Sequence, residues 1–140
     1  MAELRISELR KKITPIAVKF RLKLVVLFGS GARDRMRHDS DIDIGVAVDV
    51  PVFEKPQLYR DFMEAFEPIE NYYRRKIDLV QINSHNMIVL SHILKEGVLL
   101  YEYKPFYYNL QRLHWRFLVE DNYRYTLNYS RVLEKKLDKL

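Results

Sequence analysis

The chain has 140 residues, of which 48% are hydrophobic and 31% charged, a composition that fits one soluble globular domain and leaves no room for a second. It contains no cysteine, which excludes disulfide scaffolds, thiolate zinc sites and cysteine nucleophiles. The net charge is +5, and no apolar run is long enough to span a bilayer.

The charge is unevenly spread. Residues 1–40 carry ten Lys/Arg and four Asp/Glu, a balance of +6; residues 41–104 balance at −4 and residues 105–140 at +3. A basic front ahead of an acidic middle suits a site that handles phosphate and metal together, although a solvated basic surface has the same statistics. No nucleic-acid-binding motif accompanies it. The start, Met1-Ala2-Glu3-Leu4-Arg5, lacks the apolar stretch of a signal peptide, so a cytoplasmic location is the expectation. The four histidines, His38, His85, His92 and His114, have no tight ligand spacing, and no histidine-based metal site is expected.

In chain order the pattern is mixed α/β. Residues 6–20 read as a helix that Pro15 either interrupts or restarts. Lys23 to Phe28 is an apolar, β-branched run fitting a buried strand, punctuated by Gly29-Ser30-Gly31. Ile42 to Val48 is a second strand. Gln57 to Arg75 reads as a helix entered through Pro56, with Pro68 as a kink or a break. Ile77 to Ile82 is a third strand, Asn86 to Glu96 a helix closed by Gly97, and Val98 to Tyr101 a short last strand. A helical extension follows Pro105. The expected fold is therefore α/β, a small mixed sheet flanked by helices, with a main domain over 1–104 and a C-terminal helical extension over 105–140 packed on it.

Two aspartates carry the first chemical signal. Strand side chains alternate, so Asp41 and Asp43 share one face while Ile42, Ile44, Val46 and Val48 take the other. Two like charges beside an apolar sheet are costly, and a divalent cation removes that cost; oxygen-only ligands favour Mg²⁺ or Mn²⁺. A D-x-D pair alone means little. Here a third aspartate, Asp78, interrupts the apolar strand Lys76-Ile77-Asp78-Leu79-Val80. If that strand lies beside the second, three carboxylates meet at one end of the sheet, enough for two metals in phosphoryl transfer. Gly29-Ser30, after a buried strand, suits the close approach of a phosphate to backbone N–H groups and a serine hydroxyl.

Gly29-Ser30, a ten-residue gap, Asp41-x-Asp43, then Asp78 on a later strand resembles the signature of the DNA polymerase β-type nucleotidyltransferase superfamily. Gly29-Ser30-Gly31-Ala32-Arg33 and Ser40-Asp41-Ile42-Asp43 are similar to the spelling used by its minimal nucleotidyltransferase (MNT) branch, over about residues 20–100. Asp34 departs from the glycine that often follows the arginine. The resemblance implies transfer of a nucleoside monophosphate from a triphosphate such as ATP to an acceptor hydroxyl. It implies that Asp41 and Asp43 bind two Mg²⁺, that Asp78 shares one metal and helps deprotonate the acceptor, and that Gly29 and Ser30 hold the β/γ-phosphates. Arg33 and Ser40 would steady the triphosphate or the loop; Arg35 and Arg37 fall on the connecting loop. It further implies the antitoxin of a pair whose other member is a HEPN-type ribonuclease toxin, silenced by AMP on a tyrosine. A non-catalytic binding antitoxin, or transfer to a small molecule or RNA end, are the alternatives.

The remaining candidates read as structural: Asp39 and His38 as turn residues, His92 and His114 as helical packing residues, Asp49 as a turn before Pro51. Seven of the ten tyrosines lie in residues 101–140. There Phe106, Leu110, Leu113 and Phe117 form one helical stripe. A second, Tyr125, Tyr129, Val132, Leu133, Leu137 and Leu140, lies on another face. Either the helix breaks near Glu120-Asp121-Asn122, or one long helix packs the first stripe on its own domain and offers the second to a partner or a second copy; the latter is preferred.

Overall fold

A computed structural model describes residues 3–29 and 40–139. Nine elements follow in order: α1 (Ile6–Lys19), β1 (Leu22–Phe28), β2 (Ile42–Val48), α2 (Pro56–Ala65), α3 (Glu67–Tyr73), β3 (Ile77–Gln81), α4 (Met87–Glu96), β4 (Val98–Glu102) and α5 (Tyr107–Asp138). The strands form one sheet in the order β3-β2-β1-β4. β1 is antiparallel to β2 and β4, while β2 and β3 are parallel. No helix among the described residues is long and apolar enough to cross a membrane.

Side-chain alternation splits the interior into two clusters. Val25 and Leu27 of β1, Ile42, Ile44 and Val46 of β2 and Ile77 of β3 meet α1, α2 and α3 on one face. Leu24, Val26 and Phe28 of β1 meet α4 and α5 on the other. α1 buries Leu9, Ile13 and Ala17, one residue per helical turn. Pro15 lies within α1 without ending it, because it sits on the exposed side, where water meets the carbonyl that loses its partner. Pro68 marks a break: α2 ends at Ala65, and the proline occupies the first turn of α3, where its missing N–H costs nothing. Phe62, fully buried, makes edge-to-face contacts with Phe20, Phe53 and Phe66. Phe62→Ala is expected to cost about 3–5 kcal/mol of stability, checked by urea denaturation.

α5 corrects one expectation. It is a single 32-residue helix with no break at Glu120-Asp121-Asn122, as preferred, but its packed face is not the one anticipated. Phe106, Leu110, Leu113 and Phe117 are all exposed, and Tyr108 and Trp115, with Leu118 and Val119, are the residues that join the second cluster. The two stripes are offset by two residues, about 200° around a helix, so they lie on opposite sides. The packed side is fixed at its start by Glu102, whose carboxylate accepts a 2.9 Å bond from the Tyr108 N–H in the first turn of α5. Residues 120–139 are exposed throughout.

Candidate active site

The sheet register brings two of the three aspartates side by side. β2 and β3 pair with Asp43 opposite Asp78, and β1 pairs with β2 with Phe28 opposite Asp43. Alternation sends Ile42 and Ile44 into one cluster, which turns Asp43 to the α4 side of the sheet. Asp41 stands one residue before β2, exposed at its entrance.

Gly29 follows β1 with φ +69°, and a Cβ at that position would run into the Asp43 carboxylate. A glycine is required both by the left-handed backbone and by that approach. Gly29→Ala is expected to displace Asp43 and to cost at least about 1 kcal/mol of stability, measured as a lowered unfolding midpoint with loss of catalysis. Ser30 and Arg33, the other phosphate-binding candidates of this loop, lie outside the described residues, as do Arg35, Arg37, His38 and Asp39.

Ser40 is described. Its backbone carbonyl accepts 2.7 Å from Arg75 Nε, and its hydroxyl oxygen accepts 2.9 Å from Arg75 Nη2. Arg75 is buried, and it precedes Lys76, whose carbonyl accepts from the Ile42 N–H at 2.8 Å. Lys76 Nζ lies 3.8 Å from Asp78 Oδ1, an exposed pair of small energetic weight.

α4 adds two groups that the sequence reading missed. It connects β3 to the parallel strand β4, so it runs back along the sheet and returns its C-terminal end to the end where β2 and β3 begin. His92 Nδ1 sits 3.5 Å from Glu96 Oε1, and Glu96 is largely covered. His92 and His114 are therefore not packing residues: the His92 side chain is half-exposed and His114 is exposed. The readable signal was the i, i+4 spacing of His92 and Glu96 on a crossover helix.

The electrostatics identify the focus. Partial burial raises the Asp43 carboxyl from its ordinary value, Asp78 and then Asp41 push it further, His92 opposes and Glu96 adds to the rise. A half-buried carboxyl that shares its surroundings with other carboxylates is the environment a divalent cation relieves, and the donor set is oxygen-rich, which suits Mg²⁺ or Mn²⁺. No three acidic or histidine side chains among the described residues converge tightly enough to hold an ion by themselves. Mg²⁺ in such sites takes one or two carboxylates and completes its shell with water and substrate phosphate, so Asp43 and Asp78 with Asp41 beside them fit that demand. A cavity of about 640 Å³, lined among others by Lys19, Arg21, Val52 and Asp61, lies at the opposite end of β1 and β2 and has no part in this chemistry.

Residues 11–106 match the family described as polymerase beta, nucleotidyltransferase. Two relatives in Methanocaldococcus jannaschii are provisionally named protein adenylyltransferases. MJ0435 is 30% identical over 95 residues, 68% of this chain and 97% of the relative. MJ1215 is 36% identical over 76 residues, 54% and 83% respectively. Among solved structures, a chain of a toxin–antitoxin complex with AMP-PNP superposes with a TM-score of 0.63 at 16% identity, over 91% of this chain and 97% of that one. A chain from the complex of tri-AMPylated Shewanella oneidensis HEPN toxin with MNT antitoxin does so with a TM-score of 0.60 at 15% identity, over 95% and 98%. At these identities the structural likeness is one of fold.

Proposed function

Since this chain belongs to the polymerase beta nucleotidyltransferase family, we propose that it moves AMP from ATP to a tyrosine hydroxyl of a HEPN-type ribonuclease toxin and so serves as that toxin's antitoxin. The observation that carries the reading is the facing of Asp43 and Asp78 across β2 and β3, with Gly29 pressed against Asp43.

In this reaction the acceptor oxygen bonds to the α-phosphorus of ATP, the bond to the β-phosphate bridging oxygen breaks, and pyrophosphate leaves. Mg²⁺, when bound, supplies charge neutralisation at the attacking and leaving oxygens. Asp41 and Asp43 would hold the metals, and Asp78 would share one of them and help take the proton from the acceptor hydroxyl. Gly29 leaves its backbone open to the triphosphate, with Ser30 and Arg33 of the same loop as further ligands. A tyrosine hydroxyl, with an ordinary pKa near ~10, is within reach of such activation at neutral pH. The protein acceptor is supported by the names of the relatives and by the AMPylated toxin in the neighbouring complex. A cytoplasmic site of action belongs to the same proposal.

The test is to incubate the protein with ATP, Mg²⁺ and the product of its neighbouring gene, then weigh that product by mass spectrometry. The expected result is one or more AMP additions on tyrosine, absent with Asp41→Ala. Neutralisation without added mass would make the protein a binding antitoxin; efficient transfer to RNA or a small alcohol, with an unmodified neighbour, would move the acceptor elsewhere.

A further inference from the structure

Asp41 presents a problem of placement. It precedes the first ladder pair of β2, Ile42 with Ile77, so no strand partner fixes it, and it is exposed. Yet a carboxylate asked to hold a metal must be held to a fraction of an ångström. Both of its chain neighbours are tied to one dipeptide. On one side Ile42 donates to the Lys76 carbonyl at 2.8 Å. On the other, the Arg75 guanidinium spans Ser40, with Nε at 2.7 Å from its carbonyl and Nη2 at 2.9 Å from its hydroxyl. Arg75 itself is set by the end of α3: Arg74 adopts the left-handed conformation with φ 53°, the Arg75 N–H donates to the Glu70 carbonyl at 3.1 Å, and Glu70 Oε2 accepts from the Ile77 N–H at 2.9 Å.

From this bracket we infer that Arg75 is a positioning residue for nucleotidyl transfer: it clamps Ser40 and thereby sets where Asp41 stands beside Asp43 and Asp78. The inference rests on the reading of the site given above. Ser40 accordingly acts as the clamp's anchor at the entrance to β2 rather than as a ligand of the triphosphate. Burying a guanidinium is costly unless its N–H groups are satisfied, and Arg75 is the charged residue buried among the described ones. The planar fork presents Nε and Nη2 to the carbonyl and the hydroxyl of one residue in a fixed geometry; a lysine ammonium keeps the charge but not the fork.

The experiment compares wild type, Arg75→Lys, Ser40→Ala and the double variant in two assays: AMP transfer, and Mn²⁺ binding in the presence of AMP-PNP by electron paramagnetic resonance. Arg75→Lys is expected to lower kcat roughly 10- to 100-fold with little change in KM for ATP and to weaken Mn²⁺ binding. Ser40→Ala is expected to do the same to a smaller extent, since the carbonyl bond survives. The double variant should be no worse than Arg75→Lys alone, because both act through one contact. If Arg75→Lys loses its far-ultraviolet circular dichroism, Ser40→Ala carries the comparison. Wild-type kcat and Mn²⁺ affinity in the variants would overturn the inference, as would a rise in KM for ATP confined to Ser40→Ala, which would return Ser40 to the triphosphate. Wild-type protein that binds no Mn²⁺ with AMP-PNP would overturn the nucleotidyl-transfer reading, and the inference with it.

Discussion

Asp43→Asn is expected to lower AMP transfer by roughly 10²- to 10⁴-fold, the equivalent of the several kcal/mol that metal-ion stabilisation of a phosphoryl-transfer transition state supplies, while the fold stays intact. Asn matches Asp in size and keeps one oxygen, so the contact with Gly29 survives, but the charge offered to the metal is gone. The direction of the stability change separates this from a folding defect. The folded-state carboxyl of Asp43 is raised, first by burial and then by Asp78 and Asp41. A raised carboxyl binds its proton more tightly folded than unfolded, so its contribution favours the folded state at low pH and is lost as the pH rises through the folded value. At neutral pH without divalent cation the charged side chain therefore opposes folding, and Asp43→Asn should unfold at a temperature no lower than wild type, and higher if anything. The gap should close on acidification below the ordinary carboxylate range. Thermal unfolding at two pH values, beside a transfer assay, makes the measurement. Wild-type transfer rates in the variant would make the carboxylate structural.

How legible this was depended on the kind of constraint. β2 was readable to the residue, because a D-x-D pair inside alternating Ile and Val leaves one choice of face. The meeting of Asp43 with Asp78 needed only that β3 lie beside β2, which the sheet order supplies. Arg75 was not readable: its role depends on hydrogen bonds to Ser40 across 35 residues, and nothing in local pattern marks a guanidinium that turns inward. His92 and Glu96 were missed because their relation to Asp43 comes from the direction of the α4 crossover, not from spacing to the aspartates. On α5 the periodicity was right and the choice of face wrong. Two stripes on opposite sides both satisfy a 3.6-residue repeat, and what decides between them is the tie from Glu102 to Tyr108 and the room beside α4 for an indole.

That misjudged face leads to the second large effect, which concerns the partner. The N-cap Phe106 and, in the first half of α5, Leu110, Leu113 and Phe117 are exposed opposite its packed side, and the second half exposes Tyr125, Tyr129, Val132, Leu133 and Leu137. Tyr125 and Tyr129 stack with centroids 6.5 Å apart, so even the aromatic surface is pre-arranged. Exposed apolar stripes of this kind are what an interface covers, and the distal half of α5, with all of residues 120–139 exposed, gains no tertiary packing from its own sheet. Under the partner-modifying reading, α5 holds the toxin while the aspartates act on it. Phe117→Glu and Leu133→Glu each replace an apolar contact with a charge that an interface would have to desolvate, and each is expected to weaken toxin binding at least about tenfold. Because both side chains are exposed, thermal stability should stay within the small range usual for surface substitutions. Calorimetric titration against the partner, with light scattering of the free chain, separates the possibilities. Unchanged affinity in both variants would remove α5 from the toxin interface. A free wild-type dimer that both substitutions dissociate, with toxin affinity intact, would assign the helix to a second copy of this chain instead.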